Sequence, residues 1–297
     1  MRLTLGPVLY NWPADDWSDF YARIADEAPV DRVVVGEVVC SKRLPFYQNR
    51  IPEVVERLQR GGKEVVLASL GLVTLRRERR MLAELVESGL PVEVNDLTAL
   101  RHLAPGTPFT VGPLVNVYNR GTLGFLARRG GISFCLPPEL AFSSVATLAA
   151  TGAGFGVDIE VWAFGRLPLA LSARCYHARL AGLAKDSCQF VCEQDPDGLP
   201  VETLDGQPFL AINGVQTVSE RWANLAGDLA PLAEAGVGAL RLSPHTGDMV
   251  EVARLFRAAA DDRIAPDEAL AELAALAPER RFANGFLFGQ SGAEWTH

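Results

Sequence analysis

The chain has 297 residues, of which 48% are hydrophobic, and this is enough to bury a large core. Its formal net charge of −8 argues against a general binder of nucleic acid or of membrane surfaces, since such proteins present a basic face. No apolar run approaches the roughly 20 residues that cross a bilayer, and the N-terminus lacks a signal-peptide pattern. We therefore predict a cytoplasmic protein whose five cysteines stay reduced.

Short apolar runs rich in β-branched residues recur along the chain and predict eight β-strands. They lie at residues 3–9, 32–38, 64–70, 92–96, 109–115, 132–136, 156–162 and 239–244. Each run is compact and mostly apolar, as is typical of parallel strands that are covered on both faces.

Helical patterns separate most of these strands. Apolar residues recur at helical spacing over residues 51–58, 82–86 and 225–232, and Ser219 is predicted to cap the third of these helices. Pro266 is predicted to begin a further helix. Eight strands followed by helices predict an α/β fold of the TIM-like (β/α)8 barrel type.

One interval, at about residues 163–218, breaks the alternation of strand and helix. Asp197-Gly198 and Asp205-Gly206 are turn dipeptides between extended runs, which predicts a small β-containing insertion after strand seven. We therefore predict a single barrel domain over residues 1–297, with a cysteine-bearing insertion at about 163–218.

Three cysteines of this insertion, Cys175, Cys188 and Cys192, are spaced C-x12-C-x3-C, and Cys40 follows the predicted strand 32–38 by two residues. Both places are at the carboxyl ends of barrel strands, where barrel enzymes build their sites. Four thiolates can hold zinc or an iron–sulfur cluster. Because no two of these cysteines form a tight CxxC pair, we favour a [4Fe–4S] cluster, with zinc as the alternative.

Charged residues flank the four cysteines, and a fifth cysteine lies apart from them. Lys42, Arg43, Arg174 and Lys185 would partly offset the charge of a thiolate-bound cluster, or they form a solvated basic rim. Cys135 has apolar neighbours, so we interpret it as a buried free thiol.

Three polar residues are candidates for catalysis. Glu37 lies beside Cys40, Asn95 ends the fourth predicted strand, and Arg174 could pair with an anionic substrate. The neighbouring Asp96 fits a helix cap better than a catalytic role.

The remaining charged residues and histidines suggest structural roles. Glu160 could point into the barrel, where it would require a cationic partner such as Arg241. His177 lies between the cysteines and could contact them. His245 could line the site, although an exposed loop position is the more common one and is expected here. Two further histidines are predicted at the surface, His102 and His297.

Several stretches, in collinear order along most of the chain, resemble the collagenase-like peptidase family U32, and within it the UbiV-like group. They are GPVLYNWP (6–13), GEVVCSKR (36–43), VEVNDLTAL (92–100), VGPLVNVYNRGTL (111–123), FGRLPLALSARCYHARL (164–180), KDSC (185–188), FVC (190–192), INGVQTVS (212–219), LRLSPHTGDM (240–249) and NGFLFG (284–289).

The resemblance implies a [4Fe–4S] cluster bound by Cys40, Cys175, Cys188 and Cys192. It also implies a heterodimer with a UbiU paralogue that hydroxylates the quinone-precursor ring in O2-independent (anaerobic) ubiquinone biosynthesis. A UbiT-like lipid carrier is the implied accessory protein, and prephenate is the implied oxygen donor.

Three alternatives stay open. The family name suggests a peptidase, although the chain has no HExxH motif and no evident catalytic triad. Relatives that hydroxylate RNA bases suggest RNA modification, which the acidic net charge disfavours. The chain could also be a non-catalytic subunit that stabilises UbiU.

Overall fold

Eight parallel strands close into a barrel. The computed structural model describes residues 1–296, so His297, expected at the surface, lies outside the described residues. Within residues 1–296 the strands are β1 (Arg2–Leu5), β2 (Arg32–Val35), β3 (Glu64–Ala68), β4 (Val92–Val94), β5 (Phe109–Val111), β6 (Gly131–Cys135), β7 (Asp158–Leu171), β8 (Leu199–Glu202), β9 (Pro208–Asn213), β10 (Gln216–Asn224), β11 (Ala239–Leu242) and β12 (Phe282–Ala283). Strands β1–β7 pair in order, and β11 pairs with both β7 and β1. The predicted TIM-like (β/α)8 barrel is confirmed.

Helices cover the outside of the barrel and follow most of its strands. They are α1 (Ala14–Glu27), α2 (Ile51–Arg60), α3 (Arg76–Glu87), α4 (Arg120–Arg128), α5 (Phe142–Phe155), α6 (Tyr176–Leu180), α7 (Leu229–Glu234), α8 (Met249–Ala260) and α9 (Pro266–Leu276). Helix α2 buries Val54, Val55 and Leu58 on one face, and α9 begins at the predicted Pro266. A short 3-10 helix, Leu97–Arg101, joins β4 to β5.

The barrel strands end earlier than their apolar runs. The first predicted strand covers residues 3–9, but β1 ends at Leu5, and residues 6–12 form a buried loop. Five other predicted strands also extend two or more residues beyond β2, β3, β4, β5 and β11. These loop residues are mostly buried because the segments above the barrel rim cover them, so burial does not mark where strand pairing stops.

The predicted β-containing insertion is present, and it begins as a continuation of the barrel. Strand β7 runs past the rim to Leu171, where its second half pairs antiparallel with β10. Strands β8, β9 and β10 then form an antiparallel sheet beside it. Ser219, predicted as a helix cap, lies in β10 instead, where its hydroxyl accepts the backbone N–H of Leu167 at 2.8 Å. Helix α7 begins only at Leu229.

Charged side chains fill part of the barrel interior. Arg241 on β11 forms ion pairs with Glu160 on β7 and Glu93 on β4, and all three side chains are at most 3% exposed. The predicted pairing of Glu160 with Arg241 is confirmed. The barrel centre is thus occupied by a compensated ion-pair network, since an unpaired buried charge would be costly.

Within residues 1–296, no helix is both long enough and apolar enough to cross a membrane.

Candidate functional site

The loop after β2 holds Cys40 in a defined position. The buried Glu37 carboxylate accepts the backbone N–H groups of Val39 at 2.7 Å and Cys40 at 2.9 Å through Oε1. Its Oε2 accepts the Tyr47 hydroxyl at 2.9 Å. Burial raises the pKa of Glu37, although these donors and Arg43 oppose that shift. Glu37, a candidate for catalysis, therefore acts here as the organiser of the Cys40 loop.

The other three cysteines come from the segment between β7 and β8. Cys175 caps the N-terminus of α6, and Cys188 follows a single 3-10 turn. The next two residues, Gln189 and Phe190, both have left-handed backbone, with φ of 49° and 55°. Such residues cost on the order of 1–3 kcal/mol each and persist only where the surroundings impose them. After this reversal the chain returns to the pocket that Cys188 lines, and Cys192 lines it as well.

The four cysteines line one pocket, which we call the cysteine pocket. Its other lining residues are Lys42, Arg43, His177, Lys185, Phe190, Val191 and Gly214. Cys135 does not take part, because it lies buried at the end of β6. The structure thus brings together the four cysteines that the sequence singled out and separates the fifth from them.

A backbone N–H group reaches one of the four sulfur atoms. The N–H of Ala178, in the first turn of α6, donates to Cys175 Sγ at 3.4 Å. Burial raises the pKa of the Cys40 and Cys175 thiols, so the thiolate form here depends on positive charge in the pocket.

Two cationic side chains place positive charge beside the sulfur atoms. The Lys42 ammonium lies 3.5 Å from Cys188 Sγ, and it also donates to the carbonyl oxygens of Lys185 at 2.8 Å and Asp186 at 3.1 Å. The Arg43 guanidinium lines the same pocket, where its positive charge interacts with Cys192. Two of the four sulfur atoms, those of Cys175 and Cys188, therefore accept an N–H donor, as is common where thiolates bind metal.

Arg43 is only 1% exposed and is fixed from two sides. It donates to the Leu9 carbonyl at 2.8 Å and to Asn213 Oδ1 at 2.9 Å. Gly214 lies against it with φ of +62°, and a Cβ there would come within 2.6 Å of the guanidinium. The tight β9–β10 turn therefore needs glycine both for its backbone conformation and for the space that Arg43 occupies.

His177 lines the cysteine pocket and forms hydrogen bonds with two neighbouring segments. Its Nδ1 accepts the backbone N–H of Gly214 at 3.2 Å, so the other ring nitrogen, Nε2, carries the proton and donates to Asp195 at 2.7 Å. Both hydrogen bonds tie α6 to the β9–β10 turn and to the segment after Cys192.

A family model described as peptidase family U32 matches residues 16–297, a range that includes all four cysteines of the pocket. The chain belongs to peptidase family U32. The match confirms the family that the motifs indicated, while the narrower UbiV-like group stays a prediction.

The donor set of this U32 chain fits the thiolate ligation of an iron–sulfur cluster. The cysteine pocket has four thiols, three cationic side chains and no carboxylate in its lining. Among residues 1–296, no three His, Cys, Asp or Glu side chains lie close enough to bind one metal ion together. A single zinc would need its sulfur ligands about 2.3 Å away. In a four-iron cluster each cysteine would bind a different iron, and the pocket supplies four thiols for this.

The other candidate residues lie outside the cysteine pocket. Asn95 is buried at the barrel mouth, where its Nδ2 donates to Glu93 at 3.1 Å and its Oδ1 has no hydrogen-bond partner. Arg174 is exposed and does not line the cysteine pocket, although the other three predicted cations do. Asp96 accepts the N–H of Thr98 at 2.8 Å, and this confirms it as a helix cap.

The expectation of an exposed His245 was wrong. Its side chain is fully buried, its ring stacks on Trp222 with a centroid distance of 3.9 Å, and Nδ1 lies 2.9 Å from the Ser243 carbonyl. Burial lowers the pKa of His245 to about 4. The residue follows a short barrel strand, and the long insertion folds over it, which local sequence does not indicate. His102 is exposed, as predicted.

Two contributors to the cysteine pocket were not identified from the sequence as parts of it. Gly214 sits in an Asn-Gly dipeptide between alternating apolar residues, a pattern that strongly indicates a hairpin turn. Its contact with Arg43 could not be foreseen, because the two residues come from separate parts of the chain. The backbone donor Ala178 likewise depends on the capping geometry of Cys175.

Proposed function

We propose that this chain is an iron–sulfur subunit of O2-independent ubiquinone biosynthesis, of the UbiV-like kind within family U32. In this proposal Cys40, Cys175, Cys188 and Cys192 bind a [4Fe–4S] cluster. The chain acts as a heterodimer with a UbiU paralogue and takes part in hydroxylating the quinone-precursor ring. A UbiT-like lipid carrier presents that precursor, and prephenate is the oxygen donor.

The observation that carries the proposal is the convergence of four cysteines from distant segments on a single pocket. Two of their sulfur atoms accept N–H donors, and the pocket lining is otherwise cationic or neutral. Thiolates that bind a cluster bring net negative charge to the site, so Lys42, Arg43 and Lys185 would offset it. A structural role for free thiols would not require this arrangement.

The chain's own residues would orient the ligands and shield them from water. A cluster bound here would accept and donate single electrons. Phe190 packs edge-on against Phe46 with ring centroids 4.6 Å apart, and the Lys42 ammonium lies 5.5 Å from the centroid of Phe190. These side chains cover one side of the cysteine pocket, while Phe46 itself is 52% exposed. That exposed ring is available for contact with a partner subunit.

Deletion of the gene, followed by quinone analysis with and without oxygen, tests the pathway. We expect ubiquinone to be lost only under anoxia and to return with a plasmid-borne wild-type copy. A Cys188→Ala copy should fail to restore it, whereas Cys135→Ser, which alters the cysteine outside the pocket, should succeed. Normal anaerobic ubiquinone in the deletion strain would refute the proposal, and cluster-independent hydrolysis of peptides by the purified protein would favour the peptidase alternative.

A further inference from the structure

A second concave site lies on the other side of the Cys40 loop. It is a cavity of about 330 Å³ between α2, α3 and the carboxyl ends of β2 and β3, and we call it the α2–α3 cavity. This volume is at the lower end of the range for small-molecule sites, about 300–1,000 Å³. Residues that line it include Glu37, Leu44, Ile51, Ser69, Met81 and Leu85.

The walls of the α2–α3 cavity are mainly aliphatic, and its mouth opens at the surface. Leu44, Ile51, Met81 and Leu85 are half-buried, so each presents apolar surface that a ligand would cover. Gln48, also in the lining, is exposed. A molecule in this cavity would therefore be largely apolar and could extend a substituent to the outside.

Two buried polar groups in the lining have hydrogen-bonding capacity that is unused or weakly used. Ser69 is 1% exposed; its Oγ accepts the N–H of Asn95 at 2.8 Å and donates to the Leu70 carbonyl only at a long 3.5 Å. A carboxylate has about four acceptor positions. Glu37 uses three of them, for two backbone N–H groups and the Tyr47 hydroxyl. The cavity thus offers one donor and one acceptor.

The α2–α3 cavity and the cysteine pocket share one loop. Glu37 lines the cavity, and its Oε1 accepts the backbone N–H of Cys40, which lines the cysteine pocket. A ligand in contact with Glu37 is therefore separated from the cysteine pocket by this short segment alone.

We infer that the α2–α3 cavity binds a hydroxylated aromatic ring that carries an apolar substituent. The ring hydroxyl donates to Glu37 and accepts from Ser69, while the aliphatic walls enclose the ring and the substituent leaves through the mouth. This inference rests on the proposed function for the biological identity of the ring, the quinone precursor, and it assigns that ring to this subunit. A hydroxyl on the ring can form hydrogen bonds with both Glu37 and Ser69, whereas a hydrocarbon can form neither.

Calorimetric titration of the purified chain with 4-propylphenol and with propylbenzene tests this inference. Two weak net hydrogen bonds predict that the phenol binds about tenfold more tightly than the hydrocarbon, a difference of about 1.4 kcal/mol. Ser69→Ala should reduce this preference to about threefold. Equal affinity for the two probes in the wild-type chain would overturn the inference.

Variants that fill the cavity locate the binding site. Met81→Trp and Leu85→Trp, both at half-buried positions, should each weaken phenol binding at least tenfold, whereas Phe155→Trp, an exposed position on α5, should not change it. Thermal melts will identify any variant that does not fold, and the second filling variant then decides. Wild-type affinity in a folded filling variant would overturn the inference.

Cys188→Ala separates this inference from the proposed function. The variant should bind the phenol as the wild type does, because the cavity does not contain the cysteines. Absent phenol binding together with an anaerobic quinone defect would overturn the inference and leave the proposed function standing. If the purified protein binds the phenol but deletion of its gene leaves the anaerobic ubiquinone level unchanged, the cavity is supported as a binding site and the proposed role in ubiquinone biosynthesis is refuted.

Discussion

Replacing Lys42 by methionine is expected to lower the midpoint potential of a cluster in the cysteine pocket. The Lys42 ammonium lies 3.5 Å from Cys188 Sγ and holds the preceding turn through the carbonyl oxygens of Lys185 and Asp186. Methionine has a similar length but no charge. Its substitution therefore removes a positive charge that stabilises the reduced, more negative cluster, while much of the packing against Phe190 is kept.

The size of this shift follows from Coulomb's law. For about 6 Å between the ammonium and the added electron, and an effective dielectric constant between about 20 and 40 for this half-buried side chain, the lost interaction is about 1.4–2.8 kcal/mol. At about 59 mV per tenfold change for one electron, this corresponds to a decrease of about 60–120 mV. Added salt should reduce the shift, because part of the side chain contacts solvent.

Anaerobic redox titration followed by electron paramagnetic resonance measures the potential directly. Lys42→Arg retains the charge and should stay within about 30 mV of the wild type. Arg174→Met removes a nearby charge that is exposed and outside the cysteine pocket, so it should shift the potential by less than about 30 mV. A Lys42→Met potential equal to that of the wild type, or above it, would refute the electrostatic role of Lys42.

Three further substitutions test the packing around the site and the barrel. Gly214→Ala should lower the free energy of unfolding by about 1–2 kcal/mol and reduce the iron content, because a Cβ would meet Arg43. Gly182 also has a positive φ, but open space surrounds it, so the control variant Gly182→Ala should retain its iron. Arg241→Met removes the cationic partner of two buried carboxylates, so urea unfolding should show a free energy of unfolding about 3–5 kcal/mol lower than that of the wild type. A decrease below about 1 kcal/mol would contradict the stabilising role of this ion-pair network. Burial lowers the pKa of His245 from 6.5 to about 4, so the folded state favours the neutral ring. The contribution of this pKa shift to the free energy of unfolding should be complete above pH 6.5, and up to about 3 kcal/mol of it should be lost as the pH falls to 4. His245→Gln should reduce this pH dependence.

The barrel could be predicted from the sequence because each strand is a separate apolar run. The ends of the strands could not, since residues 6–12 are as buried in their loop as Leu3 and Leu5 are in β1. The misassigned Ser219 has a related cause. A serine before an apolar periodic stretch resembles a helix cap, but here pairing with β7 and β9 decides its backbone conformation.

The sequence also indicated which cysteines come together, since thiols in separate strand-end loops of a barrel meet on one face. It did not reveal how their sulfur atoms are hydrogen-bonded. The contacts of Arg43 with Leu9 and Asn213 join residues far apart in the chain, and the position of Lys42 depends on the turn at Lys185. Such contacts are set by tertiary structure, which local patterns do not encode.

The most direct test of the four-cysteine site is the metal content and spectrum of the anaerobically purified protein. We expect a brown protein with about four irons and four sulfides per chain. Single alanine substitutions of Cys40, Cys175, Cys188 or Cys192 should remove most of the colour, and Cys135→Ala should retain it. A colourless wild-type protein that holds one zinc per chain would contradict the account.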